Sequence, residues 1–346
     1  VNRGTPLPVH QHAKMGVFAG LAMPMWYEGV RQEHTAVRQS VGVFDVSHMA
    51  IMWLTGPNKQ VLHAIETIGC AAVSVRAKKG RMTYSMILNE QGGIVDDVMV
   101  GPVGDRWLLV ANAVNATAVL GRFQSVPGVT IERDHRLAML AVQGPRAMAL
   151  GAQLLGQGMP LPFGVARMSW QGEEVVVSRT GYTGEDGFEI IGSPAVMTHY
   201  WQACLAEGAV PCGLAARDSL RIESGLPLYG QELGPDRSPL ETRYPWVLSS
   251  SLPYVGHEAV AAKRLALTDT TVGLRLSTRA IARLGTLIQE GGVVTSGTLT
   301  PQSDTSIAMA VVPMPLSTVG TVLHVLLRGV PTRAVVVPVP FDKKEV

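Results

Sequence analysis

Residues Met82–Ala111 read MTYSMILNEQGGIVDDVMVGPVGDRWLLVA, three apolar runs cut by two turn-forming clusters. The runs Met82–Leu88, Gly93–Val100 and Trp107–Ala111 have strand-like composition. Asn89-Glu90-Gln91-Gly92-Gly93 and Gly101-Pro102-Val103-Gly104-Asp105 separate them. Glycine takes positive φ without a steric penalty and proline cannot extend a ladder, so both clusters predict reversals of the chain. The segment is therefore expected to form an antiparallel meander.

Helical patterns flank this meander, which makes the class α+β. Val30, His34, Val37 and Val41 fall at helix-like spacing, predicting a helix over Val30–Ser40 that ends at Gly42. Phe44–Met49 and Ala50–Leu54 read as strand-like and close at Gly56-Pro57, and Asn58–Thr67 reads as a helix begun by an Asn near its N-cap. Beyond the meander come a helix at Ala113–Gln124 and a buried strand at Leu137–Gln143 stopped by Gly144-Pro145. Two more strand-like runs, Val175–Arg179 and Phe188–Ile191, flank the loop Gly181–Gly187, where glycines leave room for a ligand to approach. Helices are expected over Pro194–Leu205 and Ala215–Gly225, and a polar connection with a short helix over Pro253–Asp269. Strands with glycine turns then run from Val272 to Val337, a shift that marks a boundary near residue 270 and suggests domains at 1–255 and 270–346.

The 346 residues carry 29 Lys and Arg against 27 Asp and Glu, a net charge of +2 that gives no electrostatic reason to expect a nucleic-acid or membrane partner. Only 16% of residues are charged, while Gly (37) and Pro (22) are plentiful, as suits a turn-rich chain and not a helical bundle. Three widely spaced cysteines, Cys70, Cys204 and Cys212, supply neither a disulfide framework nor a paired metal half-site, which favours a reducing compartment. The opening residues lack a signal-peptide h-region, and no apolar run approaches about eighteen residues, so a cytoplasmic setting is expected.

Three segments concentrate chemistry. In Asp96-Asp97, adjacent side chains of an extended strand face opposite ways, so one carboxylate is expected in a cleft and the other to be structural or solvated. A carboxylate in an apolar pocket resists ionisation and suits a proton acceptor or a counter-charge to a developing cation. Arg179–Glu189 (RTGYTGEDGFE) packs charged, hydroxyl and glycine residues into one loop. There Glu189 could accept paired hydrogen bonds from an amino-pyrimidine edge and Tyr182 offers a flat face, although a plain surface hairpin would look similar. Arg217 and Arg221, four apart on a helix, suit a carboxylate ligand or an exposed ion-pair ladder with Asp218 and Glu223. His10 and His12 lack a third metal ligand, and His48 reads as a satisfied interior histidine in a strand-like run. No Walker loop, nucleophile elbow, dinucleotide fingerprint or zincin motif is present.

These segments belong to a longer collinear series. It runs through Ala13-Lys14-Met15, Phe18-Ala19-Gly20, Gly42–Met49 (GVFDVSHM), Gly92–Asp97 (GGIVDD) and Val142–Pro145 (VQGP). It continues through Arg179–Ile190 (RTGYTGEDGFEI), Gly213–Glu223 (GLAARDSLRIE), Leu228–Leu233 (LYGQEL) and Thr295–Gly297 (TSG). In this the chain resembles the aminomethyltransferases, the T-proteins of the glycine cleavage system, over nearly its whole length.

The resemblance implies a three-lobed folate-binding fold with two interwoven α+β lobes and a C-terminal β-barrel lobe. It implies tetrahydrofolate as acceptor and the lipoyl-bearing H-protein as partner, the one-carbon unit passing from the aminomethyl-dihydrolipoyl arm to tetrahydrofolate with release of ammonia. Residue by residue, it assigns Asp97 as the catalytic carboxylate that approaches the folate nitrogens, Glu189 as the holder of the pterin edge, and Arg217 as the folate-binding arginine. Met49, Tyr84, Val110, Asn112 and Tyr182 fall on pocket positions, and no metal is implied. Leu21, Tyr244-Pro245 and the tail Pro340–Lys344 depart from the family pattern, which points to differences where the lipoyl arm enters. A folate-dependent demethylase and a folate-binding regulatory protein without turnover are the related alternatives.

Overall fold

The computed structural model describes residues 3–5, 7–301 and 303–341, and the end of the tail, 342–346, lies outside them. Two compact units emerge, one of 1–87, 95–217 and 249–255, the other of 88–94, 218–248 and 256–346.

The first unit holds two large sheets. One contains the expected meander, observed as Thr83–Leu88, Ile94–Val103 and Arg106–Ala111, and continues through Ala50–Thr55 to Thr130–Arg133. The other runs in the order Val165–Trp170, Glu173–Ser178, Gly187–Gly192, Ala138–Gln143, Gly42–Asp45 and Val210–Cys212, antiparallel except for its last pair. Alternate residues of these strands, such as Leu140 and Val142, Val175 and Val177, and Phe188 and Ile190, share one buried face. Against that face pack Met197, Tyr200, Trp201 and Cys204 of the helix Pro194–Ala206, and Leu150 and Leu155 of the helix Ala147–Leu155. The helix Pro194–Ala206 starts on Ser193, whose hydroxyl accepts from the Val196 amide, with Pro194 in the first turn where no N–H is needed.

One expectation for this unit needs correction, and one element is new. The run Phe44–Met49 is strand only as far as Asp45: Gly42–Asp45 ends, Val46–Met49 crosses over, and the second expected run, observed as Ala50–Thr55, belongs to the other sheet. The change of sheet leaves no mark in the pattern because both strands are buried. A hairpin of Lys14–Phe18 and Leu21–Trp26 was also unsignalled; Ala19 and Gly20, at φ of 50° and 79°, make its turn without the usual Asn or Asp.

The second unit carries the C-terminal strands in the order Val293–Leu299, Ser306–Pro313, Asp269–Leu276, Val330–Val337 and Val322–Leu327, all antiparallel. Its edges are joined by the segment 285–289. On one side the amides of Gly285 and Ile288 reach the carbonyls of Val294 and Gly292; on the other Gln289 reaches His324, and Leu326 donates to Leu287. The sheet is thus closed into a barrel around Leu274, Val294, Ala308, Ala310, Leu323 and Val325. Among the described residues no helix is long and apolar enough to cross a membrane.

Candidate functional site

Asp97 sits where the sheet dictates its partners. Met99 pairs with Val110 across antiparallel strands, so the same register sets Asp97 opposite Asn112. Asn112 Nδ2 donates to Asp97 Oδ1 at 2.8 Å, and the Tyr84 hydroxyl, from the neighbouring strand, donates to Oδ2 at 3.1 Å. Asp97 is half-buried and Asp96 fully buried.

One of the two carboxylates, Asp96, is structural, one of the two roles expected for the second acid, yet the pair shares a partner. The Asn112 amide also donates to Asp96 Oδ1 at 2.8 Å, and its backbone N–H donates to Asp96 Oδ2. Asn115 Nδ2 adds a bond of 2.7 Å to Asp96. Asp96 therefore fastens the turn that follows the strand and is structural, not solvated, while Asn112 bridges both acids. Burial pushes Asp97 up to about 6 and Asp96 up to about 7; the Asp97 charge adds to the rise at Asp96, and the donors Tyr84 and Asn112 restrain it at Asp97.

Linkage gives this a sign. Ordinary carboxylates titrate near about 4, so the folded chain holds more protons than the unfolded chain between there and the shifted values of about 6 and about 7. The pair favours the fold most at the acid end of that window and loses this contribution as pH rises through it. Denaturant melts of the parent and of Asp96→Asn across the window check this: the variant's stability falls less with rising pH.

The loop Arg179–Glu189 builds a second cluster. Glu189 lies in the strand Gly187–Gly192 and is nearly buried; Thr180 donates to its Oε2 at 2.5 Å, and its Oε1 lies 4.0 Å from Arg217 Nη2. The Arg217 guanidinium rests over the Tyr182 ring, 4.9 Å from its centroid. Burial lowers the Arg217 pKa, opposed by Glu189 and Tyr182. Arg217 Nη1 is buried with no hydrogen-bond partner among the described residues. A Cβ on Gly181 would come within 1.9 Å of Gln143 Oε1. Gln143 fills that space, donating to the Thr180 carbonyl and accepting from Thr183 at 2.9 Å.

The crossing Val46–Met49 links the two clusters along the chain. At its start, Phe44 pairs with Ala141, which pairs in turn with Glu189; at its end, Ala50 pairs with Ala111, so Met49 and Asn112 flank that pairing. Val110, buried, lies one strand over, opposite Ile51. His48, in the crossing, is buried but not satisfied as expected: its Nδ1 lacks a partner among the described residues. Burial first, and the Arg217 charge second, lower it to about 4, so the ring is neutral.

Other candidates lead elsewhere. Arg221 is not part of an exposed ladder; it is fully buried, donating to Glu232 at 2.8 Å, Gln231 at 2.6 Å, Ser296 at 2.8 Å and Asp218 at 2.9 Å. This network gives LYGQEL and TSG a structural job that residue types alone did not reveal. His10 is held between the Tyr27 hydroxyl at 2.6 Å and Asp45 at 2.9 Å, and no group of three metal-ligating side chains occurs among the described residues. A cavity of about 610 Å³ lined by Tyr27, Trp201, His12 and Glu28 contains none of the sequence-predicted site residues. Leu21 begins a strand of the N-terminal hairpin, and the Tyr244 hydroxyl donates to the Gly225 carbonyl at 3.1 Å.

The sequence model of the GCVT N-terminal domain matches residues 7–251, and that of the glycine cleavage T-protein C-terminal barrel domain matches 270–343. An aminomethyltransferase of Herpetosiphon aurantiacus is 39% identical over 98% of each chain. One of Synechocystis is 37% identical over 93% of this chain and 91% of its own. The crystal structure of the glycine cleavage system aminomethyltransferase T from Bartonella henselae superposes with a TM-score of 0.92 at 32% identity, covering 99% of this chain and 98% of that one.

Proposed function

Since the chain belongs to the glycine cleavage T-protein family of aminomethyltransferases, we propose that its acceptor is tetrahydrofolate, held between Glu189, Arg217 and Tyr182 with its reacting nitrogens toward Asp97, and that its donor is the lipoyl-bearing H-protein. The chain is an enzyme of one-carbon transfer, with an α+β region followed by a barrel.

The observation that carries the folate reading is the pairing of a buried donor without a partner among the described residues, Arg217 Nη1, with a nearly buried acceptor, Glu189 Oε1, over an aromatic face. Such groups cost stability unless a ligand or water completes them, and a planar heterocycle whose edge offers a donor to Glu189 and an acceptor to Arg217 fits them. Glu189 and Arg217 fix the plane and direction of the ring, and Tyr182 supports Arg217 from below. Tetrahydrofolate, when bound, supplies the amines that receive the one-carbon unit. Asp97 places a negative charge beside them: above a pH of about 6 it is ionised. It can then steady positive charge that develops in the transfer and take up or return a proton at a carboxylate oxygen. Tyr84 and Asn112 each hold one of those oxygens, which fixes the carboxylate's orientation without protonating it.

The test is mass analysis of the folate product after incubation with aminomethylated H-protein. Methylenetetrahydrofolate with release of ammonia is expected; 5-methyltetrahydrofolate, or no product, overturns the reading. A narrower prediction follows for Glu189→Gln. Losing a charge-assisted bond costs about 1.5–3 kcal/mol, so tetrahydrofolate should bind roughly 10- to 150-fold more weakly by calorimetry, with little change in melting temperature.

A further inference from the structure

Glu189 and Arg217 carry opposite charges, and each side chain is only 11% exposed, yet they do not close on one another: Nη2 stands 4.0 Å from Oε1. Charged groups of this kind ordinarily meet at about 2.7–2.9 Å, often through two parallel bonds. The pair is therefore held apart, and Arg217 Nη1 is left buried with no partner among the described residues.

Each ion is held from its far side. Arg217 rests over the Tyr182 ring at 4.9 Å. Glu189 is held by Thr180, whose hydroxyl donates to Oε2 at 2.5 Å. A second hydroxyl, that of Ser178, lies 2.8 Å from the Thr180 oxygen. A hydroxyl has one proton to give, and Thr180 gives its own to Glu189, so Ser178 donates to Thr180. The strands dictate this chain: Ser178 ends Glu173–Ser178 directly opposite Glu189 in the antiparallel register, and Thr180 follows two residues later. Both hydroxyl residues are buried, and Gln143 Nε2 donates to the Thr180 carbonyl at 3.2 Å, which anchors the tether at its backbone.

We propose that Thr180 is a positioning residue of the binding site: by tethering Glu189 it stops the Glu189–Arg217 pair from closing on itself and keeps Oε1 and Nη1 available to the ligand. The inference rests on the tetrahydrofolate reading above and adds to it the device that keeps the site receptive. An open pair of buried ions costs stability in the ligand-free chain, and a ligand that offers a donor to one and an acceptor to the other recovers it. Binding then meets groups already in place, with no ion pair to break first.

Thr180→Val, studied in the full chain, keeps the size and branching of the side chain and removes the hydroxyl. Released, Glu189 turns to Arg217, and ligand-free crystals of the variant should show a nitrogen–oxygen contact of roughly 3 Å in place of 4.0 Å. A charge-assisted bond favours the closed form about tenfold or more, and apparent affinity falls by the fraction of molecules still open. Calorimetry should therefore show tetrahydrofolate bound about tenfold more weakly or worse. Without ligand the variant should melt at or above the parent's temperature, since a closed ion pair replaces an open one; a lower melting temperature marks a tether that serves folding alone and overturns the inference. Thr180→Ser, which keeps the hydroxyl, should bind as the parent does. In the Glu189→Gln background Thr180→Val should cause no further loss, because Thr180 acts through Glu189. Parent affinity in Thr180→Val, or a separation still near 4.0 Å in its crystals, overturns this inference and leaves the folate reading standing. A parent that binds no tetrahydrofolate overturns the folate reading, and the separation in the variant's crystals then decides the tether by itself.

Discussion

Asp97→Asn is expected to lower kcat for aminomethyl transfer about 10²- to 10⁴-fold, the usual range for removing a general acid or base. The substitution is close to isosteric, and the partners tolerate it. The carbonyl of the introduced carboxamide can still accept from Asn112, and its N–H can donate to the Tyr84 hydroxyl. Folding should not suffer, because the change removes an acid whose charge raises the cost of ionising its buried neighbour Asp96. Single-turnover rates measured beside thermal melts therefore separate chemistry from structure. The parent's kcat should also rise with pH through about 6 as Asp97 ionises, and this limb should vanish in the variant. An unaltered rate in Asp97→Asn would falsify the carboxylate role.

The largest effect on stability is expected from Arg221→Met. Arg221 and Glu232 are both buried, and their 2.8 Å contact is completed by Gln231, Ser296 and the Leu226 carbonyl. Removing the cation strands the Glu232 carboxylate in a low-dielectric setting, which costs about 3–5 kcal/mol. At about 2–4 °C per kcal/mol for a domain of this size, the melting transition should fall by roughly 6–20 °C. The double variant Arg221→Met, Glu232→Leu should regain much of the loss, since replacing both charges by apolar groups removes the stranded ion. A melting temperature within a degree or two of the parent's would show that the network contributes little.

The meander and the loop Arg179–Glu189 were legible because turn chemistry and residue density are local properties. The sharing of Asn112 by both acids was not. Strand alternation holds along a regular run, and Asn112 stands where the strand gives way to a turn at Ala113–Asn115, so its amide reaches across both faces. Arg221 was equally opaque: its partners include Ser296, far along the chain, and an arginine on an amphipathic helix reads as solvent-facing until the fold buries it. His48 was read as satisfied because burial usually implies it, and the sheet change at Val46–Met49 was invisible because the strands on both sides of it are buried. Family resemblance supplied the ligand proposed for the site, which no pattern of residue types could have named. In each case what was missed depends on distant contacts, and what was found depends on neighbours in sequence.

The clasp at 285–289 has a consequence for how this protein behaves when crowded. An unclosed sheet presents a row of bare amides and carbonyls that another chain can copy onto itself, the first event in strand-mediated aggregation. Here Val293–Leu299 and Val322–Leu327 have their outer rims engaged by the same short stretch. Addition of a foreign strand at the positions this stretch occupies therefore requires its detachment.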